Sequence, residues 1–224
     1  MERVENSELN RKILNHLIAQ YQLKEKREPN HLSTYVYCRT KAYLDQKQTV
    51  EPSDQEVLLF AIGYGLQDVM TPKDAVAPVY KQDGIVYRPD MVFYPSKVEV
   101  ENLVELKTTR MSAKKHWEPD HIPMTWLDYM MGGCYMRNTS RYDLIILYLM
   151  GNYAPPFPEI YCDTFEFSQE ELDENWAKLQ EHRTVLDAAL AGQYPPEPFK
   201  NCYDWECKYC RYKLICETIV TAMY

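Results

Sequence analysis

The hydrophobic periods along this chain predict an α/β fold. Three observations carry the prediction. Helical periods fill roughly the first 70 residues, short apolar or alternating runs follow to about residue 107, and a helix, a strand and one long helix come after them.

Residues 5–25 carry apolar side chains at Leu9, Ile13, Leu14, Leu17 and Ile18, a helical repeat closed by polar residues and Pro29. Ser33 reads as the N-cap of a helix over 34–46, which bears Cys38 and Arg39. Ser53, after Pro52, caps a third helix running to residue 69. Runs at 77–80, 84–87, 91–94 and 103–107 read as strands, broken by Asp83-Gly84 and Pro95-Ser96. A helix over 123–136, a strand over 144–150, a loop marked by Pro155, Pro156 and Pro158, and a short strand over 164–167 come next. Ser168-Gln169-Glu170-Glu171 is a capping box. The long helix it opens has one apolar stripe of Leu172, Trp176, Leu179, Leu186 and Leu190, and Gly192 terminates it. Pro195-Pro196-Glu197-Pro198 is a stiff linker into a cysteine cluster.

At 224 residues the chain suits one large domain, or one domain with a small appendage, and is long enough to bury a full core without disulfide staples. Its longest apolar run, 144–150, is far short of the roughly 18 residues of a membrane helix. With Glu2, Glu5 and Glu8 among polar residues, the opening residues are not expected to act as a signal peptide. Seven cysteines, an odd number, point to reduced thiols and metal binding, with the cytoplasm as the expected compartment. A net charge of −8 excludes a protein that coats nucleic acid electrostatically, but leaves room for a local positive groove. No P-loop or helix-turn-helix pattern is present.

Chemistry concentrates in two places. In Val104-Glu105-Leu106-Lys107, alternate residues of a strand share a face, so Glu105 and Lys107 point one way and Val104 and Leu106 into the core. An ionised pair on a half-buried strand must be compensated. Asp90, following Pro89 at the start of the 91–94 strand, supplies a partner, and a hairpin-like pairing sets it beside Glu105. Two facing carboxylates favour Mg²⁺ or Mn²⁺. The lysine then orients or deprotonates an attacking water, or stabilises charge on a phosphorane. The plain alternative is a strand salt bridge with no chemistry. The second place is Cys207-x2-Cys210-x5-Cys216, whose fourth ligand is either nearby Cys202, giving a zinc site, or distant Cys38. Thiolates alone suit zinc and iron–sulfur equally. Cys134 and Cys162 read as buried small hydrophobes. Lys107, Arg110, Lys114, Lys115 and His116 form the main basic segment, placed to hold phosphates, and Arg39, Lys41 and Tyr43 form a second such surface.

The Asp90…Glu105-x-Lys107 pattern, preceded by Gly84 and followed by Thr108, resembles the PD-(D/E)XK nuclease superfamily, in particular its RecB-like branch. The resemblance implies metal binding by the backbone carbonyl of Leu106. It also aligns Gly63-Tyr64-Gly65-Leu66-Gln67-Asp68 with the branch's G-x3-H motif, so that Gln67 or Asp68 takes the place of the histidine ligand. The branch's Gln-x3-Tyr helix corresponds to residues 126–135, where the glutamine is missing and Tyr129 or Tyr135 takes the tyrosine's place. Residues 33–44, from Ser33 through Tyr37, Cys38 and Arg39 to Leu44, look like the S-x3-Y-C helix of iron–sulfur RecB-like nucleases, without the proline before arginine. That group includes AddB-type and CRISPR-adaptation nucleases. By this resemblance Cys38, Cys207, Cys210 and Cys216 hold a [4Fe-4S] cluster, with Zn²⁺ as the alternative at the cysteines.

The fold implied is a restriction-endonuclease-like α/β core, a central mixed β-sheet flanked by helices, with N- and C-terminal segments joined by the iron–sulfur cluster. Residues 1–224 form a single RecB-like nuclease domain: a helical segment 1–50, a core 51–195 and a cysteine segment 196–224. The activity implied is that of a metal-dependent DNA nuclease, an exonuclease or single-strand end-processing enzyme, binding DNA through Arg39, Lys41, Arg110, Lys114, Lys115 and Tyr129. Its expected settings are replication, recombination, repair or CRISPR adaptation, with proteins of those pathways as partners, in a prokaryotic cell or the host cell of a virus. The alternative is a non-catalytic DNA-binding or assembly subunit that keeps the fold.

Overall fold

The structure, a computed structural model, describes residues 7–24, 28–48, 50–93, 102–118, 120–192, 204–208 and 210–223. Helix α1 (Ser7–Lys24) follows its apolar repeat. The helix expected over 34–46 is instead two, α2 (Leu32–Val36) and α3 (Arg39–Lys47). The cap is His31, whose Nδ1 accepts the Ser33 N–H, rather than Ser33 itself. Thr34, Tyr35, Val36, Tyr37 and Cys38 form a run of poor helix formers, so the chain yields there. The break leaves Tyr37 extended and puts Cys38 at the N-cap of α3, outside either helix. Helix α4 (Asp54–Met70) opens on a capping box in which Ser53 and Glu56 each bond the other's backbone, as the Pro52-Ser53 signal predicts.

Strands β1 (Tyr80–Gln82) and β2 (Ile85–Tyr87) form a hairpin whose turn residues, Asp83 and Gly84, have φ of 47° and 75°. Two successive positive φ values are what a tight hairpin turn needs, and glycine meets the second without strain. The run expected as a strand at 77–80 enters it only at Tyr80, and the hairpin is a two-stranded sheet of its own. The central sheet has the order β3-β4-β5-β6, from β3 (Met91–Phe93), β4 (Asn102–Thr109), β5 (Arg141–Tyr148) and β6 (Glu159–Glu166). It is mixed: β4 and β5 run parallel, and the outer pairs antiparallel. A parallel neighbour needs a crossover, which helix α5 (Met124–Arg137) provides after a single 3₁₀ turn at Ala113–Lys115. Strand β6 is longer than the expected 164–167, because the whole of β5 is there to pair with it. Helix α6 (Gln169–Leu190) carries the capping box at Ser168 and Glu171. Helices α7 (Asp204–Lys208) and α8 (Lys213–Met223) follow. The proline-rich linker at 195–198 and Cys202 lie outside the described residues. No described helix is long and apolar enough to cross a membrane.

Helices α5 and α6 pack on each other, with α2 and α3 closing against α6 and α1 lying along α4. The main core gathers Tyr142, Leu144, Ile146 and Tyr148 from alternate positions of β5, Met130 and Cys134 from α5, Leu179 and Leu186 from α6, and Leu32 from α2. Gly133 is required where α5 crosses Tyr87, because a side chain there would begin 2.5 Å from the ring. A smaller cluster of Ala75, Met91, Val104 and Leu106 forms separately. Both faces of β4 are therefore covered, which corrects the expectation of a half-buried strand with Val104 and Leu106 alone turned to the core: Leu103, Val104, Glu105 and Leu106 are all buried. We predict that Leu179→Ala, which empties a fully buried position between α6 and Gly132, lowers the unfolding free energy by about 2–5 kcal/mol in urea titrations.

Candidate active site

Strand β3 pairs with β4 in a register that sets Met91 opposite Val104. Carried back one residue, the same register puts Asp90 opposite Glu105, so two separate stretches of chain meet by strand pairing. Asp90 is held from two sides. Its Oδ2 accepts the Leu106 N–H at 2.8 Å, and its Oδ1 accepts the Gln67 Nε2 at 2.7 Å. Glu105 Oε1 meets Lys107 Nζ at 2.5 Å, and Oε2 accepts the Tyr142 hydroxyl at 3.3 Å. With the Tyr142 proton directed at Glu105, Tyr87 donates to the Tyr142 oxygen at 2.7 Å. Lys107 Nζ lies 5.7 Å from the centre of the Tyr129 ring and 6.0 Å from that of Trp126, both within cation–π range.

Burial, then the nearby charge of Asp90, pushes the Glu105 carboxyl up to about 7, against the opposing pull of Lys107 and Tyr142. Burial would lower the Lys107 ammonium, but Glu105, Tyr37 and Asp90 more than offset it and the net direction is upward. The lysine is thus a fixed cation, while two carboxylates crowd one another at the edge of the core. A hard divalent cation relieves that repulsion. The consequence for stability has a definite sign. A carboxyl that binds its proton more tightly when folded contributes stability at low pH and loses it as pH rises through the folded value. For the metal-free protein we predict a loss on the order of 3 kcal/mol between about pH 5 and pH 8, with the slope flattened in Glu105→Gln. Urea midpoints across that window check it, and equal slopes in the two proteins would contradict it.

These groups face a cleft of about 1170 Å³, shared by Gln67 and Asp68 of α4, Arg88 to Asp90, Glu105 to Thr108 of β4, and Tyr129 of α5. The Tyr129 hydroxyl donates to the Arg88 carbonyl at 3.0 Å. Tyr135 does not reach the cleft and stacks instead on Trp176, with ring centres 4.7 Å apart. Arg110, Lys114 and Lys115 are exposed beyond the end of β4 and do not line the cleft. The basic segment is also interrupted. His116 is buried, bonded through Nδ1 to the Tyr148 hydroxyl at 2.9 Å and through Nε2 to Asp163 at 3.2 Å, so it anchors the loop rather than facing phosphates. Arg39 and Lys41, on α3, act electrostatically on His182 and Glu206, away from the cleft.

None of the described cysteines lines the cleft. Cys38, Cys207 and Cys210 all stand near enough to Cys216 to act on its charge, and after burial they raise its thiol pKa. Among the described residues, no three His, Cys, Asp or Glu side chains are placed closely enough to hold a metal ion. The segment between Cys210 and Cys216 is tied down by its own side chains. The Tyr212 hydroxyl donates to Asp45 at 2.7 Å, and Arg211 donates to the Val50 carbonyl at 3.2 Å and pairs with Asp45 and Glu56. Cys134 is buried, with its thiol pushed up to about 12 by burial. Cys162 corrects its expectation: it is exposed, because edge strand β6 turns alternate residues away from the sheet's core face. Sequence reasoning missed Tyr87, Tyr142, Arg211 and Tyr212. The even spacing of Tyr142 within β5 was a signal, but only the β4–β5 register links it to Glu105.

Fold and site together define an α/β protein with a mixed sheet, whose cleft holds a buried glutamate paired with a half-buried lysine and faced by an aspartate. No protein-family model and no curated protein matches the sequence. Among solved structures, the crystal structure of SSO0001 aligns over 94% of this chain and 96% of its own, at 16% identity and a TM-score of 0.54. That likeness shows a shared fold. An alkaline exonuclease, LHK-Exo from Laribacter hongkongensis, aligns over 79% of this chain and 94% of its own, at 12% identity and a TM-score of 0.45.

Proposed function

We propose that this chain is a divalent-metal-dependent deoxyribonuclease acting on strand ends. The observation that supports it most is Asp90 standing across from the buried Glu105–Lys107 pair in an open cleft. Asp90 and Glu105 offer oxygen donors suited to Mg²⁺ or Mn²⁺, with the Leu106 carbonyl and Gln67 or Asp68 completing the set. Such an ion, when bound, polarises a phosphodiester and acidifies a water. Lys107, kept protonated by Glu105, steadies negative charge on the phosphoryl oxygens rather than serving as the base. Gln67 fixes the rotamer of Asp90, and Tyr142 holds the second oxygen of Glu105.

Purified protein with Mn²⁺ should degrade end-labelled DNA, and Asp90→Ala or Lys107→Ala should each lower kcat by about 10²-fold or more. Activity that survives both changes refutes the assignment. One observation favours a second reading, a non-catalytic DNA-binding or assembly subunit. Each carboxylate oxygen of Asp90 and Glu105 already accepts a hydrogen bond from protein, so the site is satisfied without an ion. DNA binding with no cleavage in any divalent metal would establish that reading.

For the cysteines we propose a structural [4Fe-4S] cluster on Cys38, Cys207, Cys210 and Cys216: the fold brings Cys38, Cys207 and Cys210 within electrostatic range of Cys216, although no three of these thiols stand at ligand distance among the described residues. Thiolates at this site supply the soft donors such a cluster requires. Anaerobically purified protein should be brown and contain iron and sulfide in equal amounts, and Cys38→Ala should lose both. Colourless protein carrying one zinc would assign the site to Zn²⁺. Partners of the replication, recombination, repair or CRISPR-adaptation kind fit this reading.

A further inference from the structure

Helix α4 turns one face to the cleft. Phe60, Gly63, Tyr64, Gln67 and Thr71 all line it, at spacings that put them on the same side of a helix. Val57 is the one residue of α4 that is fully buried, so this face is not packed into the core. The rings of Phe60 and Tyr64 stack with centres 6.2 Å apart and planes 24° from parallel. Beside them Gly63 leaves open space, and a side chain added there would meet nothing within 4 Å. Glycine inside a helix is destabilising relative to alanine, and no neighbour in the fold requires it at this position.

Across the cleft stand Asp90, Glu105 and Lys107, and two exposed cations, Lys73 and Arg88, line the same space without an ion pair among the described residues. Stacked rings and exposed cations lining one cleft suit a ligand with flat apolar faces and regular negative charges, which is single-stranded nucleic acid. A duplex keeps all but its terminal bases stacked on both sides. An apolar peptide would satisfy the rings but not the cations. We infer that the α4 wall is a base-stacking subsite, which seats an unpaired nucleotide over Gly63 and against the Phe60–Tyr64 pair, with its phosphate toward Lys107. This inference rests on the nuclease reading and names the strand form that reading leaves open.

The test is fluorescence anisotropy with a labelled oligothymidylate and a blunt hairpin duplex, with Ca²⁺ replacing the catalytic ion. Tyr64→Ala should weaken oligothymidylate binding roughly 5- to 100-fold, while Tyr64→Phe and the duplex affinities stay within about twofold. Gly63→Leu should weaken oligothymidylate binding over the same range, whereas Gly65→Leu, which does not line the cleft, should not. Both glycine variants should raise Tm, which separates a lost subsite from a damaged fold. Oligothymidylate affinities equal to wild type in Tyr64→Ala and Gly63→Leu overturn the inference, as do equal losses on the duplex. Unchanged DNA affinity with altered self-association in sedimentation would make the wall a protein-docking face and also overturns it. If the wild type cuts DNA but these variants bind normally, only this inference fails. If the wild type neither binds nor cuts, the nuclease reading fails with it.

Discussion

A carboxylate and an ammonium, Glu105 and Lys107, share one short contact on a strand covered on both faces, and the arrangement of the site depends on that contact. Removing either partner leaves an uncompensated charge at the edge of the core, which is costly in a way that exposed ion pairs are not. The surroundings answer that cost locally. Tyr142 donates to the second carboxylate oxygen, Tyr87 donates to Tyr142, and the faces of Tyr129 and Trp126 border the ammonium. Asp90 works in the opposite sense, since it adds a second negative charge beside a carboxyl already burdened by burial. That repulsion is what the proposed divalent cation would relieve.

The rest of the chain is organised to hold this geometry. The β3–β4 register brings Asp90 across from Glu105, α5 carries Tyr129 over the lysine, and α4 pins Asp90 through Gln67. The C-terminal helices are fastened to α3 and the start of α4 by Tyr212 and Arg211, in the neighbourhood where Cys38 comes within electrostatic range of Cys216. The proposed cluster would therefore reinforce a junction that hydrogen bonds and ion pairs already specify.

Local signals made much of this legible from sequence. The capping boxes at Ser53 and Ser168, the turn at Asp83-Gly84, and the long helix with Leu172, Trp176 and Leu179 inward all rest on chemistry within a few residues of the event. The features that sequence did not reveal are the non-local ones. The split at Tyr37–Cys38, the separate β1–β2 sheet, the burial of His116 beneath Tyr148 and Asp163, and the exposure of Cys162 are set by which elements pair or pack. In the site itself, Asp90, Glu105 and Lys107 were readable because a strand fixes side-chain direction. The phenols behind Glu105 and the open face of α4 were not, because they depend on register between elements far apart in the chain.

The central claim is that Asp90 and Glu105 form a hard-cation site. Calorimetric titration with Mn²⁺ near neutral pH tests it without recourse to catalysis. Wild-type protein should bind the ion with release of protons, since Glu105 must ionise fully to coordinate, and Asp90→Asn and Glu105→Gln should each lose that binding. No uptake by wild type, or undiminished uptake by Asp90→Asn, would contradict the account.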